Sequence, residues 1–92
     1  MLHAFVLVDA EPARIASLAE ELAEVPGVTE VFSVAGGVAD IVAIVRVRHH
    51  DELVTVVTKG IAGLHGIEST TTLVAFEVYS RHDLEAMFDL GA

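Results

Sequence analysis

Two short stretches hold residues whose types and spacing suit the binding of a small polar molecule. In the first, Gly36 and Gly37 precede Asp40; glycine allows positive φ and close approach to the backbone, and the carboxylate can accept from an amino group. In the second, the run from Ser69 to Thr72 offers hydroxyls on both faces of a strand. An ordinary hairpin turn, with Asp40 bonding its own backbone, is favoured on spacing alone, and the β-propensity of threonine explains the second run equally well.

The remaining reactive side chains form no recognised catalytic or metal site. The chain has no cysteine, which excludes a thiolate nucleophile, and its serines lack the Gly-x-Ser-x-Gly context of a nucleophile elbow. His49 and His50 are adjacent and lie at no metal-ligand spacing from His65 or His82, so a metal would be held only if a subunit contact gathered them. No Gly-Lys-Ser/Thr run follows the glycine turn, which gives a nucleotide site little support. We expect no catalytic residue, metal or cofactor.

Hydrophobic periodicity predicts the elements that must position these residues. The predicted strands cover residues 2–8, 28–34, 40–48 and 67–79. Pro12 suits the first turn of one helix, and Asp51 is a plausible N-cap of the other. The buried stripe expected for the second helix comprises Leu53, Val54, Val57, Ile61 and Leu64. Residues 1–80 then form one domain, and residues 81–92 form a tail with a short amphipathic helix that uses Leu84, Met87 and Phe88.

The order β-α-β-β-α-β predicts an α+β, ferredoxin-like fold. Right-handed crossovers give a four-stranded antiparallel sheet with both helices on one face. The third strand is apolar on both sides, with Ile41 and Ala43 on one and Val42 and Ile44 on the other. Because two helices cover only one face, the other needs a partner, and an identical sheet related by a two-fold axis provides one. We predict a homodimer, assembled as a dimeric α/β barrel.

Composition limits the classes of function. The 92 residues are 53% hydrophobic and carry a formal net charge of -9, which argues for one self-associating domain and against direct nucleic-acid binding. No apolar run reaches the roughly 18 residues that cross a bilayer, so we predict no membrane association. The start of the chain lacks the basic region of a secretory signal, and a cysteine-free chain suits the cytosol. We therefore expect a cytoplasmic protein.

Taken together, residues 34–42 and 64–72 resemble the two signature stretches of the effector domain of Lrp/AsnC regulators, called RAM for regulation of amino-acid metabolism. The family patterns are Gly-x-x-Asp before an apolar strand, and Gly-Val-x-x-Thr-x-Thr after a helix end. The positions that match are Gly37, Asp40, Gly66, Ile67, Thr70 and Thr72. Ile67 replaces the usual valine and His65 the usual proline. The resemblance extends from the first strand to Tyr79.

The resemblance implies a ferredoxin-like fold, dimers joined through their sheets, assembly of dimers into octamer-like rings, and an amino-acid effector bound between dimers. In this sequence the implied ligand-binding residues are Ser33, Val34, Ala35, Gly36, Gly37, Asp40, Thr70 and Thr72. Asp40 would accept from the ammonium group, the N–H groups of the glycine turn would bind the carboxylate, and the threonines would orient the ligand. Full-length members carry a helix-turn-helix domain that this sequence lacks. It therefore resembles a stand-alone RAM protein that acts on a DNA-binding regulator or another partner.

Two other functions stay open at this point. The first is a dimeric α/β-barrel enzyme similar to cofactor-free monooxygenases, which would need a polar pocket between helices and sheet, for example one that encloses His3 or His65. The second is a purely structural oligomerisation module, which would have no polar pocket near Gly37.

Overall fold

The computed structural model describes residues 1–81, and its elements follow the predicted β-α-β-β-α-β order. The strands are β1 (Leu2–Ala10), β2 (Val28–Ser33), β3 (Ile41–Val47) and β4 (Ile67–Val74). The helices are α1 (Ile15–Ala23), which follows a 3₁₀ turn (Pro12–Arg14), and α2 (His50–Thr55), which continues as a π-helical segment (Val56–Ile61). Most of the predicted tail lies outside the described residues.

The four strands form one antiparallel sheet in the order β2-β3-β1-β4. The central strands pair from Leu2 opposite Val47 to Val8 opposite Ile41. β1 is not adjacent to β2, and β3 is not adjacent to β4, so each helix lies in a connection that crosses over one strand of the sheet. Crossover connections of this kind are right-handed. The ferredoxin-like fold expected from the sequence is confirmed.

The hydrophobic core lies between the two helices and one face of the sheet, which we call the helix face. Every second residue of the central strands is buried on this face. The buried strand residues are Ala4, Val6, Val8, Ala10, Ile41, Ala43, Val45 and Val47. The fully buried Leu18 and Leu22 of α1 and Ile61 of the π-helical segment pack against them. The alternation of strand side chains leaves a second face, the open face, without helices.

The second helix differs from its prediction in two respects. Its N-cap is His49, with extended backbone, and Asp51 lies in the first turn, where a carboxylate favours the positive end of the helix dipole. Leu53 and Val56 face the core, while Val54 is 46% exposed, because the inner face follows the i, i+3 spacing from Leu53. The N–H of Ala62 then donates to the Val57 carbonyl, an i+5 bond that widens the last turn.

The last strand is shorter than predicted. It ends at Val74 rather than at Tyr79, although the Ala75 N–H still donates to the His3 carbonyl at 2.9 Å. By the same register Leu2, the first residue of β1, lies opposite Phe76, so residues 77–79 have no residue of β1 opposite them. Residues 77–79 therefore lack the neighbouring strand that their β-propensity would need.

Candidate functional site

The predicted ligand turn lies at the end of the sheet where β1 finishes and β3 begins. The Val34 N–H donates to the Asp40 carbonyl at 2.9 Å, which closes the base of the turn. The Asp40 N–H donates to the Val8 carbonyl, also at 2.9 Å, which fixes the turn to the central strand β1. The turn is thus an exposed loop on a rigid base, the arrangement in which binding residues are most often found.

The Asp40 carboxylate contributes to this base. Its Oδ2 accepts a hydrogen bond from the Ala10 N–H at 2.9 Å. That N–H lies where the register between β1 and β4 shifts, from Asp9 opposite Ser69 to Ala10 opposite Ile67. A bulge leaves a backbone donor unpaired, and the carboxylate satisfies it. The second carboxylate oxygen has no hydrogen-bond partner among residues 1–81, so the charge of Asp40 is available to a cation.

The tip of the turn offers backbone donors to solvent. Gly36 and Gly37 have φ of 147° and 86°, values that L side chains rarely adopt, which explains glycine at this place. The N–H groups of residues 35–39 have no hydrogen-bond partner in the described part of the chain, and a Cβ at either glycine would meet open space. Adjacent unpaired N–H groups can hold an anion such as a carboxylate.

The two predicted threonines lie apart from the turn within one subunit. Thr70 pairs with Val8 and Thr72 with Val6, so both lie on the helix face. Asp40 lies just before β3. Two strand spacings, about 10 Å, also separate β3 from β4. A single subunit thus brings together Asp40 and the turn from Ser33 to Gly37, but not the threonines.

Asp9 and Ser69, which the sequence analysis did not single out as a pair, lie beside this turn. The Ser69 hydroxyl donates to Asp9 Oδ2 at 2.6 Å. Asp9 directly follows Val8, whose carbonyl accepts from the Asp40 N–H. The register of β1 with β4 brings Asp9 and Ser69 together, and strand patterns in a sequence do not specify which residues face each other across strands.

The open face is largely apolar and has no covering element among residues 1–81. On this face Phe5 is 39% exposed, Phe32 48% and Leu73 50%. Leu7, Val42 and Ile44 lie between them and are half-buried. A contiguous exposed patch of this kind marks a contact surface in a soluble domain.

An enzyme-like pocket would require buried polar side chains on the helix face or a histidine in an enclosed cavity. Every buried side chain among the described residues is apolar. His3 lies half-buried on the open face rather than in an enclosed cavity, and His49, His50 and His65 are exposed. The described residues contain no group of three or more histidines or carboxylates placed to hold a metal ion. None of the helices in residues 1–81 is long and apolar enough to cross a membrane.

The sequence model of the Lrp/AsnC ligand-binding domain matches residues 3–84, a range that includes the glycine turn, Asp40 and both threonines. The chain belongs to the Lrp/AsnC ligand-binding domain family. That family consists of regulatory ligand-binding domains, not of enzymes.

Curated relatives of this Lrp/AsnC domain are longer than the chain itself. It is 39% identical over 75 residues to an uncharacterised HTH-type transcriptional regulator of Pyrococcus abyssi, and to the same extent to one of Pyrococcus horikoshii. Each alignment covers 82% of this chain and 47% of the relative. The chain thus spans about half the length of these regulators.

Solved structures share the fold over most of the chain. The protein TTHA0845 of Thermus thermophilus superposes with a TM-score of 0.82 at 48% identity, covering 88% of this chain and 100% of that one. AsnC of E. coli superposes with a TM-score of 0.78 at 25% identity, covering 86% of this chain and 53% of that one. The regulator NMB0573 of Neisseria meningitidis was solved as a complex with L-Met. It superposes with a TM-score of 0.74 at 18% identity, covering 87% of this chain and 53% of that one. At this identity the likeness supports the fold alone.

Proposed function

We propose that this Lrp/AsnC domain is a dimeric sensor that binds an amino acid or a related metabolite at the glycine turn and modulates a DNA-binding regulator or another partner. The single observation that carries the proposal is the turn itself. The unpaired N–H groups of Gly36 and Gly37 precede Asp40 by four and three residues, and one oxygen of the Asp40 carboxylate has no hydrogen-bond partner among residues 1–81. An amino acid carries the complementary pair of groups, one carboxylate and one ammonium.

In this proposal the ammonium group of the ligand contacts Asp40, and its carboxylate accepts from the N–H groups of Gly36 and Gly37. Charge-assisted hydrogen bonds of this type are about twice as strong as neutral ones. Thr70 and Thr72 lie on the helix face, so they complete the ligand shell only when a second subunit brings its own β4 close to the turn. The proposed binding site therefore lies at a subunit interface.

The wholly apolar interior of residues 1–81 favours this function over the monooxygenase-like alternative. A pocket for catalysis would need buried polar donors between the helices and the sheet, and no polar side chain among residues 1–81 is buried there. The net charge of -9 also favours action through a partner rather than by direct contact with DNA. We also propose a cytoplasmic location, because the chain belongs to a family of regulatory ligand-binding domains.

A thermal-shift screen against the twenty amino acids, followed by calorimetric titration, tests the proposal. A ligand that binds only the folded state raises the melting temperature by mass action. Asp40→Asn is the sharpest variant, because the amide oxygen can still accept from the Ala10 N–H while the negative charge is lost. We expect it to fold and to weaken amino-acid binding by about tenfold or more, since it removes a charge-assisted contact.

The matched control is Asp51→Asn, which removes the same charge from an exposed carboxylate in the first turn of α2. Its affinity for the ligand should equal that of the parent chain. If no amino acid shifts the melting temperature, or if both variants bind equally well, the proposed site is wrong.

A further inference from the structure

A largely apolar groove lies at the end of the sheet opposite the glycine turn. It has a volume of about 260 Å³ and is open to solvent on one side. The turn before β2, the end of β3 and the second helix form its walls. The lining residues are Pro26, Gly27, Val47, Glu52, Thr55 and Val56. Because a cavity of about 150 Å³ is enough to hold a benzene molecule, the groove has room for one large apolar side chain.

The chain leaves the sheet at the same end as this groove. Val74, the last residue of β4, lies opposite Ala4, which lies opposite Val45 of β3. The groove residue Val47 is two positions farther along β3. Two strand spacings and two strand residues separate Val74 from Val47 by about 12 Å. The residues that follow β4 therefore start close to the groove.

The surface between the end of β4 and the groove is apolar and partly exposed. Val74 shares the helix face with the buried Ala4, yet it is 48% exposed. Leu2, two residues before Ala4 and so on the same face, is half-buried. A segment that ran from β4 to the groove would remove these side chains and the groove walls from water, which is favourable.

Residues 82–92, which lie outside the described residues, have the composition of such a segment. Leu84, Met87 and Phe88 recur at the i, i+3, i+4 spacing that places side chains on one side of a helix. The match to the Lrp/AsnC ligand-binding domain ends at residue 84, so it does not account for Met87 or Phe88. The chain from Val74 to Phe88 can span about 46 Å when extended, which is far more than the distance to the groove.

We propose that residues 82–92 form an amphipathic helix that packs on the helix face of their own subunit, with Phe88 in the groove. Leu84 lies one helical turn before Phe88, about 6 Å nearer to β4, where it covers Val74 and Leu2. The inference goes beyond the proposed function and does not depend on it, because the groove and the glycine turn lie at opposite ends of the sheet.

Arg48 gives this placement electrostatic support. It directly follows the last residue of β3, is exposed and has no ion pair among residues 1–81. Residues 82–92 carry three carboxylates and no lysine or arginine. With Phe88 in the groove, the neighbouring Asp89 comes within reach of Arg48. The carboxylate of Glu52, on the helix wall of the groove, favours the same side, because it repels Asp89 toward β3.

Disulfide trapping tests the placement, because the chain has no native cysteine. Thr55→Cys lies on the helix wall of the groove, and Met87→Cys precedes the proposed anchor Phe88. At equilibrium with glutathione and at micromolar protein concentration, this pair should form an intrachain disulfide. We expect it to be at least about tenfold more stable than the disulfide of an Ala16→Cys/Met87→Cys chain. Ala16 is the matched control, since it is exposed in the first turn of α1, at the other end of the sheet.

Two further variants identify the anchor. Phe88→Ala should lower the stability of the Thr55 disulfide toward that of the Ala16 control, whereas Leu90→Ala, off the apolar side of the helix, should leave it unchanged. Glu52→Cys, one turn earlier on the same wall, replaces Thr55→Cys if that variant does not fold. Equal stability of the two cysteine pairs, or no effect of Phe88→Ala, would overturn the inference. A disulfide that forms only between chains would also overturn it, because the groove would then hold the segment of a second copy.

Discussion

Replacing Gly27 by alanine should destabilise the domain far more than replacing Gly37, although both glycines have positive φ, 96° and 86°. At Gly37 a Cβ would meet open space, so only the backbone conformation is penalised, by about 1–2 kcal/mol. At Gly27 a Cβ would also lie 2.7 Å from Val56 Cγ2 and 3.2 Å from Val47 Cγ1. Overpacking of this type adds about 1–3 kcal/mol, which gives about 2–5 kcal/mol in total.

Urea unfolding followed by far-ultraviolet circular dichroism, at one fixed protein concentration, measures both losses on the same scale. Gly60→Ala supplies a crowding term without a positive φ, because its Cβ would lie 2.6 Å from Val25 Cγ1. Gly60 lies in a helical segment, where alanine is favoured over glycine by about 1 kcal/mol, and this gain offsets part of its loss. The loss at Gly27 should be close to the sum of the losses at Gly37 and Gly60 plus the helix-propensity gain of about 1 kcal/mol at Gly60. Equal losses at Gly27 and Gly37 would refute the reasoning, since the crowding around Gly27 would then have no energetic consequence.

Three further predictions concern the core, the turn and the one tyrosine. Leu22→Ala should cost about 2–5 kcal/mol of unfolding free energy, because Leu22 is fully buried, whereas Val54→Ala, on the exposed side of α2, should cost under about 0.5 kcal/mol in the same assay. Asp40→Ala should lower the free energy of unfolding by about 1–3 kcal/mol because it leaves the Ala10 N–H without its acceptor, and equal stability of Asp40→Ala and Asp40→Asn would contradict that role. The hydroxyl of Tyr79 donates to the Glu77 carboxylate, and this hydrogen bond raises the pKa of the tyrosine. Glu77→Gln should therefore lower that pKa, which ultraviolet titration measures because the chain has a single tyrosine. An unchanged titration would rule out the hydrogen bond.

The elements of this fold could be predicted from local patterns because each pattern corresponds to a local physical cause. The alternation in residues 40–48 anticipated a strand with two apolar faces, and the observed strand runs from Ile41 to Val47. The end of β4 could not be predicted in this way. Residues 75–79 have strand-like composition, but a strand also requires a neighbour, and the length of β1 sets how many neighbours exist.

The candidate site shows the same division between local and long-range information. Gly36, Gly37 and Asp40 are close in sequence, so their spacing was enough to predict a turn with a carboxylate at its base. The hydrogen bond from the Ala10 N–H to Asp40 spans 30 residues, and it depends on a bulge between β1 and β4 that no local pattern encodes. The position of the threonines on the helix face likewise follows from register alone.

The apolar character of the open face links the stability of the fold to its proposed function. Phe5, Phe32 and Leu73 stay about 40–50% exposed in one copy of the chain, and such a surface promotes association until it is covered. In the proposed site the ligand contacts the turn of one subunit and β4 of another, so a bound ligand adds contacts across the interface. Ligand binding and dimer affinity are then coupled, and by linkage each must change the other by the same factor.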